Sequence, residues 1–190
     1  MDTKSIMIVG VGGLGVLRAS DILCRAMMLS GLDVKKSEVH GMAQRGGCVT
    51  SHVRYGRKVY SPLAKKRDCD ILVSFEKMET LRYLDYLRED GAVIINAEEI
   101  YPPVVNLGAA TYPREIIETI RTCFQDVLEI DGPVLARAAG SIKAINTVLL
   151  GLLSTRLEVA EETWDRALVE SFPSKLLEIN RKAFQLGKKA

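Results

Sequence analysis

Short apolar runs alternate with amphipathic stretches along this chain. Ile6–Val9 is a continuous apolar run, the pattern of a strand covered on both faces. Leu14–Leu29 follows as a predicted helix, with Val16, Leu17, Ile22, Leu23 and Met27 apolar and Gly31 placed to end it. Leu32–Val39 reads as a second strand. Cys48–Tyr55 alternates, with Val49 and Val53 in phase, and Gly56 marks a turn. Lys58–Ser61 is expected to return as its hairpin partner before Pro62. Ile71–Phe75 is another short apolar run, and Glu76–Arg88 carries a helical stripe of Met78, Leu81, Leu84 and Leu87. Asp90-Gly91 breaks that helix before a buried strand at Ala92–Ile95.

The second half of the chain is read the same way. Gly108–Tyr112 is expected to be extended, Arg114–Phe124 helical and Val127–Ile130 the last strand. Helical patterns then cover Val134–Ala139, Ser141–Leu153 with Ser141 as cap, Glu161–Glu170 and Pro173–Leu186. Gly151 suggests close packing, and Trp164 and Phe184 are candidate anchors. Early β–α alternation predicts an α/β fold, a three-layer α/β/α sandwich with a Rossmann-like sheet and a helical C-terminal tail. The hairpin would make that sheet mixed. At 190 residues, one domain spanning 1–190 is the simplest reading.

Composition changes little. Hydrophobic residues at 47%, charged residues at 26% and a formal net charge of +2 argue for neither nucleic acid nor membrane as a partner. Cys24, Cys48, Cys69 and Cys123 form no C-x-x-C pair, so neither iron–sulfur nor zinc spacing is present. His40 and His52 are too few for a typical local metal cluster, and no metal site is expected. The chain shows no signal-peptide pattern and no apolar run of membrane length, and the expected location is the cytoplasm.

The candidate chemistry lies in two stretches. Gly10, Gly12 and Gly15 match G-x-G-x-x-G at a strand-to-helix turn, with Gly13 as an additional glycine. Such a turn can present amides to an anion at the helix start. A ligand-free structural turn explains the same pattern. Lys35 and Lys36 occupy the region where a nicotinamide-binding fold often has an acidic residue, which counts against NAD. The second stretch runs from His40 to Gly47. Gly46 and Gly47 permit close backbone approach, Gln44 both donates and accepts, and Arg45 carries a fork suited to carboxylate or phosphate. Asn96 and Glu98, past a strand end, fit a ligand crevice or a simple cap equally well.

Together GVGGLG at 10–15, KKSEVHGMAQRGG at 35–47, SHVRYG at 51–56, AINTVLLGLLS at 144–154 and LEINRKAFQLG at 177–187 carry a resemblance. The chain resembles the gamma-type domain of the 2-oxoacid:ferredoxin oxidoreductases, and within them the small subunit of the indolepyruvate enzyme. One departure is Leu14, where the family usually has Gln. The resemblance implies oxidative decarboxylation of aryl 2-oxoacids to acyl-CoA, with electrons passing to ferredoxin. It further implies a large partner subunit holding thiamine diphosphate, magnesium and 4Fe-4S clusters, in an α2β2 assembly. Coenzyme A is then a co-substrate of the complex, and the lone chain is expected to be inactive. Gly10, Gly12, Gly13, Gly15, Gln44, Arg45, Gly46 and Gly47 are the candidate binding residues, gathered at one crevice. A free-standing Rossmann-like nucleotide-binding regulatory module and a purely structural subunit are the competing readings.

Overall fold

A computed structural model describes residues 2–40, without the His40 side chain, and residues 46–190. Its strands are β1 (Lys4–Val11), β2 (Asp33–His40), β3 (Cys48–Gly56), β4 (Cys69–Ser74), β5 (Leu87–Asn96) and β6 (Val127–Ile130). They form one sheet in the order β2-β3-β1-β4-β5-β6. β1, β4, β5 and β6 pair in parallel, while β3 is antiparallel to both β1 and β2. The sheet is therefore mixed, but for a different reason than the expected hairpin. Lys58–Ser61 forms no strand, and the partner of β3 is β2.

Helix α1 (Val16–Leu29) follows β1, and α2 (Lys77–Tyr83) follows β4. Further along come α3 (Pro103–Asn106), α4 (Ile116–Cys123), α5 (Gly132–Ala139), α6 (Ile145–Ser154), α7 (Glu161–Ser171) and α8 (Ser174–Lys188). Ile6, Ile8, Val53, Ile71, Val73 and Ile94 face a core shared with α1, α5, α6, α7 and α8. Met7, Val9, Leu72, Val93 and Ile95 face the other way, onto Met78 and Leu81 of α2 and the isoleucines of α4. This is the three-layer α/β/α arrangement. Strands buried on both sides need apolar residues at successive positions, which is why their runs are unbroken.

Some boundaries differ from expectation. The helix after β4 stops at Tyr83, passes through a 3-10 turn at Leu84–Tyr86, and Leu87 already opens β5. Leu87 is 3% exposed and belongs to the α4-side core. An apolar residue at that spacing fits a helix stripe and a strand equally well, and burial decides between them. Gly108–Tyr112 is irregular rather than extended, and α4 begins at Ile116. Ser141 does cap, accepting a hydrogen bond from the Lys143 amide, but what it opens is a 3-10 turn before α6.

The helical tail is clamped to the core by backbone proximity. A Cβ at Gly151 would lie 2.1 Å from the Phe184 carbonyl oxygen, and one at Gly187 would lie 1.9 Å from that of Val148. Helices α6 and α8 thus cross where neither has a side chain. Trp164 and Phe184 close the same region with ring centroids 5.3 Å apart.

Candidate functional site

All four parallel strands and β2 point the same way, so their carboxyl ends share one edge of the sheet. The glycine turn after β1 and the connection between β2 and β3 are consequently neighbours. Gly12 N–H donates to the Gly47 carbonyl at 2.8 Å, and Gly46 N–H donates to the Gly12 carbonyl at 3.3 Å. These reciprocal bonds extend the β1–β3 ladder by one step beyond its last pair, Val11 and Cys48. The structure therefore brings Gly12, Gly46 and Gly47 together as expected. Gln44 and Arg45 lie outside the described residues.

Each glycine of the turn has its own physical reason. A Cβ at Gly10 would stand 2.7 Å from the Phe75 Cβ and 3.0 Å from Val16, so this glycine makes room for core packing. Gly13 at φ +106° and Gly15 at φ +88° hold left-handed conformations. Gly15 is the residue from which α1 starts, and Asn146 of α6 packs 3.3 Å from where its Cβ would be. A depression of about 400 Å³ opens over this turn, lined by Val11, Gly12, Gly13, Gly15, Val16, Leu17 and Val49. Its walls are backbone and aliphatic carbon.

Two polar groups near this turn already have partners. The Gly12 amide is already committed to Gly47, so it is not presented to a phosphate. Lys36 is likewise occupied. It pairs with Asp21 of α1 and, at 2.6 Å, with Glu38, and these partners raise its pKa against the opposing effect of burial. The Gly12–Gly47 bond and the Lys36–Asp21 pair were not accessible from a motif, because they join different segments of the chain.

Along the same edge, β4 and β5 end in a polar network. Glu76 is fully buried directly past β4. Its carboxylate accepts from the Glu79 amide at 3.0 Å, from the Ile100 amide at 3.2 Å and from the Tyr112 hydroxyl. Burial, followed by this bond to Glu76, raises the Tyr112 pKa. Asn96, also fully buried, donates to the Phe75 carbonyl at 3.0 Å and to Glu98 at 3.2 Å, and accepts from the Gly132 amide at 2.9 Å. Asn96 is thus the cap that joins β4, β5 and α5, and the crevice reading of it falls. Glu98, partly desolvated, has its pKa raised. Sequence reading passed over Glu76 and Tyr112. The available signal was one acid immediately after an apolar strand.

Among the described residues no three His, Cys, Asp or Glu side chains are grouped as a metal site. Cys24 and Cys69 are buried in separate elements, Cys48 is half-buried and Cys123 exposed, all as free thiols. This donor set does not fit a 4Fe-4S cluster or a thiamine diphosphate magnesium ion, and no step is routed through either group on this chain. No described helix is long and apolar enough to cross a membrane.

Comparison with known proteins agrees with this architecture. Residues 5–190 match the family model for pyruvate ferredoxin/flavodoxin oxidoreductase. The chain belongs to that family, as a subunit of a 2-oxoacid oxidoreductase. It is 39% identical over 195 residues to the indolepyruvate oxidoreductase subunit IorB of Thermococcus kodakarensis, covering 100% of this chain and 96% of that one. The IorB subunit of Archaeoglobus fulgidus is 40% identical over 187 residues, covering 96% of this chain and 92% of its own. The gamma subunit of a keto/oxoacid ferredoxin oxidoreductase from Geobacter sulfurreducens shares the fold, with a TM-score of 0.73 at 23% identity over 98% of this chain and 96% of that chain. These relationships do not favour a free-standing nucleotide-binding regulatory module.

Proposed function

We propose that this chain is the small subunit of an indolepyruvate-type 2-oxoacid:ferredoxin oxidoreductase. In this reading the complex oxidatively decarboxylates aryl 2-oxoacids. The bond from the carbonyl carbon to the carboxylate breaks, carbon dioxide leaves, coenzyme A takes the acyl group and two electrons pass to ferredoxin. The observation that carries it is full-length identity of 39% to 40% with IorB subunits. Thiamine diphosphate, magnesium and 4Fe-4S clusters are assigned to a large partner subunit, because the donor set described above fits none of them. Thiamine diphosphate, when bound there, supplies the nucleophile and the electron sink for decarboxylation. An α2β2 assembly working in the cytoplasm belongs to the same reading.

The contribution of this chain is then to complete and cover the crevice. The apolar depression at Val11–Leu17 suits aliphatic or aromatic contact and exclusion of water. Gly10, Gly13 and Gly15 shape the turn, and Gly12, Gly46 and Gly47 lock it to the second loop. Gln44 and Arg45 are assigned to polar contact with coenzyme A, the 2-oxoacid carboxylate or the large subunit. The test is anaerobic co-purification with the large subunit, followed by dye reduction dependent on indolepyruvate and coenzyme A. A brown, active complex is the expected result. Arg45→Ala is expected to lower the activity of the assembled complex at least about ten-fold, the scale of one charge-assisted contact. A colourless, partnerless chain, from a preparation whose tag leaves the surface accessible, would refute the assignment.

A further inference from the structure

Tyr83 closes α2 with its hydroxyl 2.9 Å from the Cys48 thiol. Cys48 is the first residue of β3 and is in register with Val11. Its neighbour Gly47 accepts the Gly12 amide. Helix α2 therefore reaches the root of the candidate loop from the opposite face of the sheet to α1. One turn earlier stands Glu79, only 4% exposed. Its Oε1 accepts from Arg82 Nε at 3.2 Å, while its buried Oε2 has no hydrogen-bond partner among the described residues.

Cys48 and Tyr83 form a neutral anchor and not a reactive centre. Burial, with the Glu79 carboxylate as the next cause, pushes the Cys48 thiol up to about 11. It is protonated at neutral pH and a poor nucleophile, but it retains one weak donor and one acceptor. Burial and the bond to Cys48 raise the Tyr83 hydroxyl as well. Packing alone would be served by Phe at 83 and by an apolar residue at 79. A buried carboxylate beside the Cys48 thiol is costly to desolvate, and its presence calls for a reason.

We propose that Tyr83 is a positioning residue of the candidate site: it fixes Cys48 and so holds the Gly46–Gly47 turn against the glycine turn. The catalytic part of this proposal rests on the function proposed above; the structural part does not. Tyr83→Phe is the direct test, because it keeps the ring beside Tyr86, 6.1 Å away, and removes only the hydroxyl. In the assembled complex, KM for coenzyme A or for the 2-oxoacid is expected to rise about five-fold, with kcat within about two-fold of wild type. Hydrogen exchange is expected to quicken in the peptides containing Gly12 and Gly46 while β5 keeps its protection. Cys48→Ser, which retains a hydrogen-bonding group, should stay near wild type, and Cys48→Val should behave like Tyr83→Phe.

Wild-type kinetics together with unchanged exchange at Gly12 in Tyr83→Phe would overturn the proposal. So would exchange that quickens equally in β5, since the hydroxyl would then support the whole fold. A wild-type chain that forms no active complex would overturn the functional reading and the kinetic half of the proposal, whereas local exchange measured on the chain still decides whether Tyr83 holds the clamp.

Discussion

β1, β4, β5 and β6 run parallel between helices on both faces, whereas β2 and β3 form an antiparallel ribbon backed by α1 on one face and met by Tyr83 and Tyr86 on the other. Ile94 in the first region is fully buried, and Val39 on the ribbon's outer edge is 58% exposed. The parallel region closes its carboxyl edge with internal bonds through Glu76 and Asn96. At the same edge the ribbon's Gly46 and Gly47 are bonded to Gly12 through their backbone, and Cys48 contacts the Tyr83 hydroxyl. A frame buried on both sides resists displacement, so a loop hung beside it can be presented in a defined place. In the proposed function recognition falls to the ribbon and its loop, and stability to the frame.

The largest test of that division is a matched pair of truncations. Ile94→Ala should destabilise the chain by about 4 kcal/mol in denaturant unfolding, while Val39→Ala should stay within about 0.5 kcal/mol. Equal losses would erase the contrast. Next in size is Asn96→Ala, which strands the Gly132 amide and the Phe75 carbonyl in the interior. Its expected cost is about 2 kcal/mol in the same assay. A neutral result would mean that the β5–α5 junction is held by other contacts.

Gly15→Ala sharpens the boundary between the regions. The left-handed conformation alone costs about 1–2 kcal/mol for a side-chain-bearing residue. The 3.3 Å approach of Asn146 adds crowding. The variant should also impair the complex more than its stability loss explains, as measured by activity per assembled complex.

The smallest effect is pH-dependent. Burial lowers the pKa of His52, which is 6% exposed and packs edge-on against Tyr86. The unfolded chain takes up this proton near the ordinary value of 6.5, and the folded chain only at lower pH. Above that value both states are neutral and His52 adds no pH dependence. Below it the unfolded state binds more protons, so stability falls as pH drops. Between pH 7 and 5 the wild type should lose more stability than His52→Gln in denaturant unfolding. Parallel curves for the two proteins would show that His52 is no more shielded than in the unfolded chain.

Much of this organisation was legible in the residues. Ile6–Val9, Ile71–Val73 and Ala92–Ile95 lie in strands because a run buried on both faces has to be apolar throughout. Gly151 announced a close approach, and α6 and α8 touch there through backbone. The pattern misled where short stretches satisfied two periodicities at once, at Leu87, or where a turn residue suggested a hairpin, at Gly56. It was silent on Glu76 and Tyr112, whose roles arise from partners 36 residues apart.

By itself, then, the sequence determined the α/β class, the family and the positions of most elements. The class and the elements follow from local periodicity and from glycine's access to positive φ, both properties of neighbouring residues, and the family follows from the motifs that carry the resemblance. Only the tertiary structure decided that β3 pairs with β1 and β2, that Gly12 commits its amide to Gly47, that Lys36 pairs with Asp21, and that Tyr83 reaches Cys48. Each of those is a contact between distant segments, and such contacts exist only once the sheet order has placed their donors beside their acceptors.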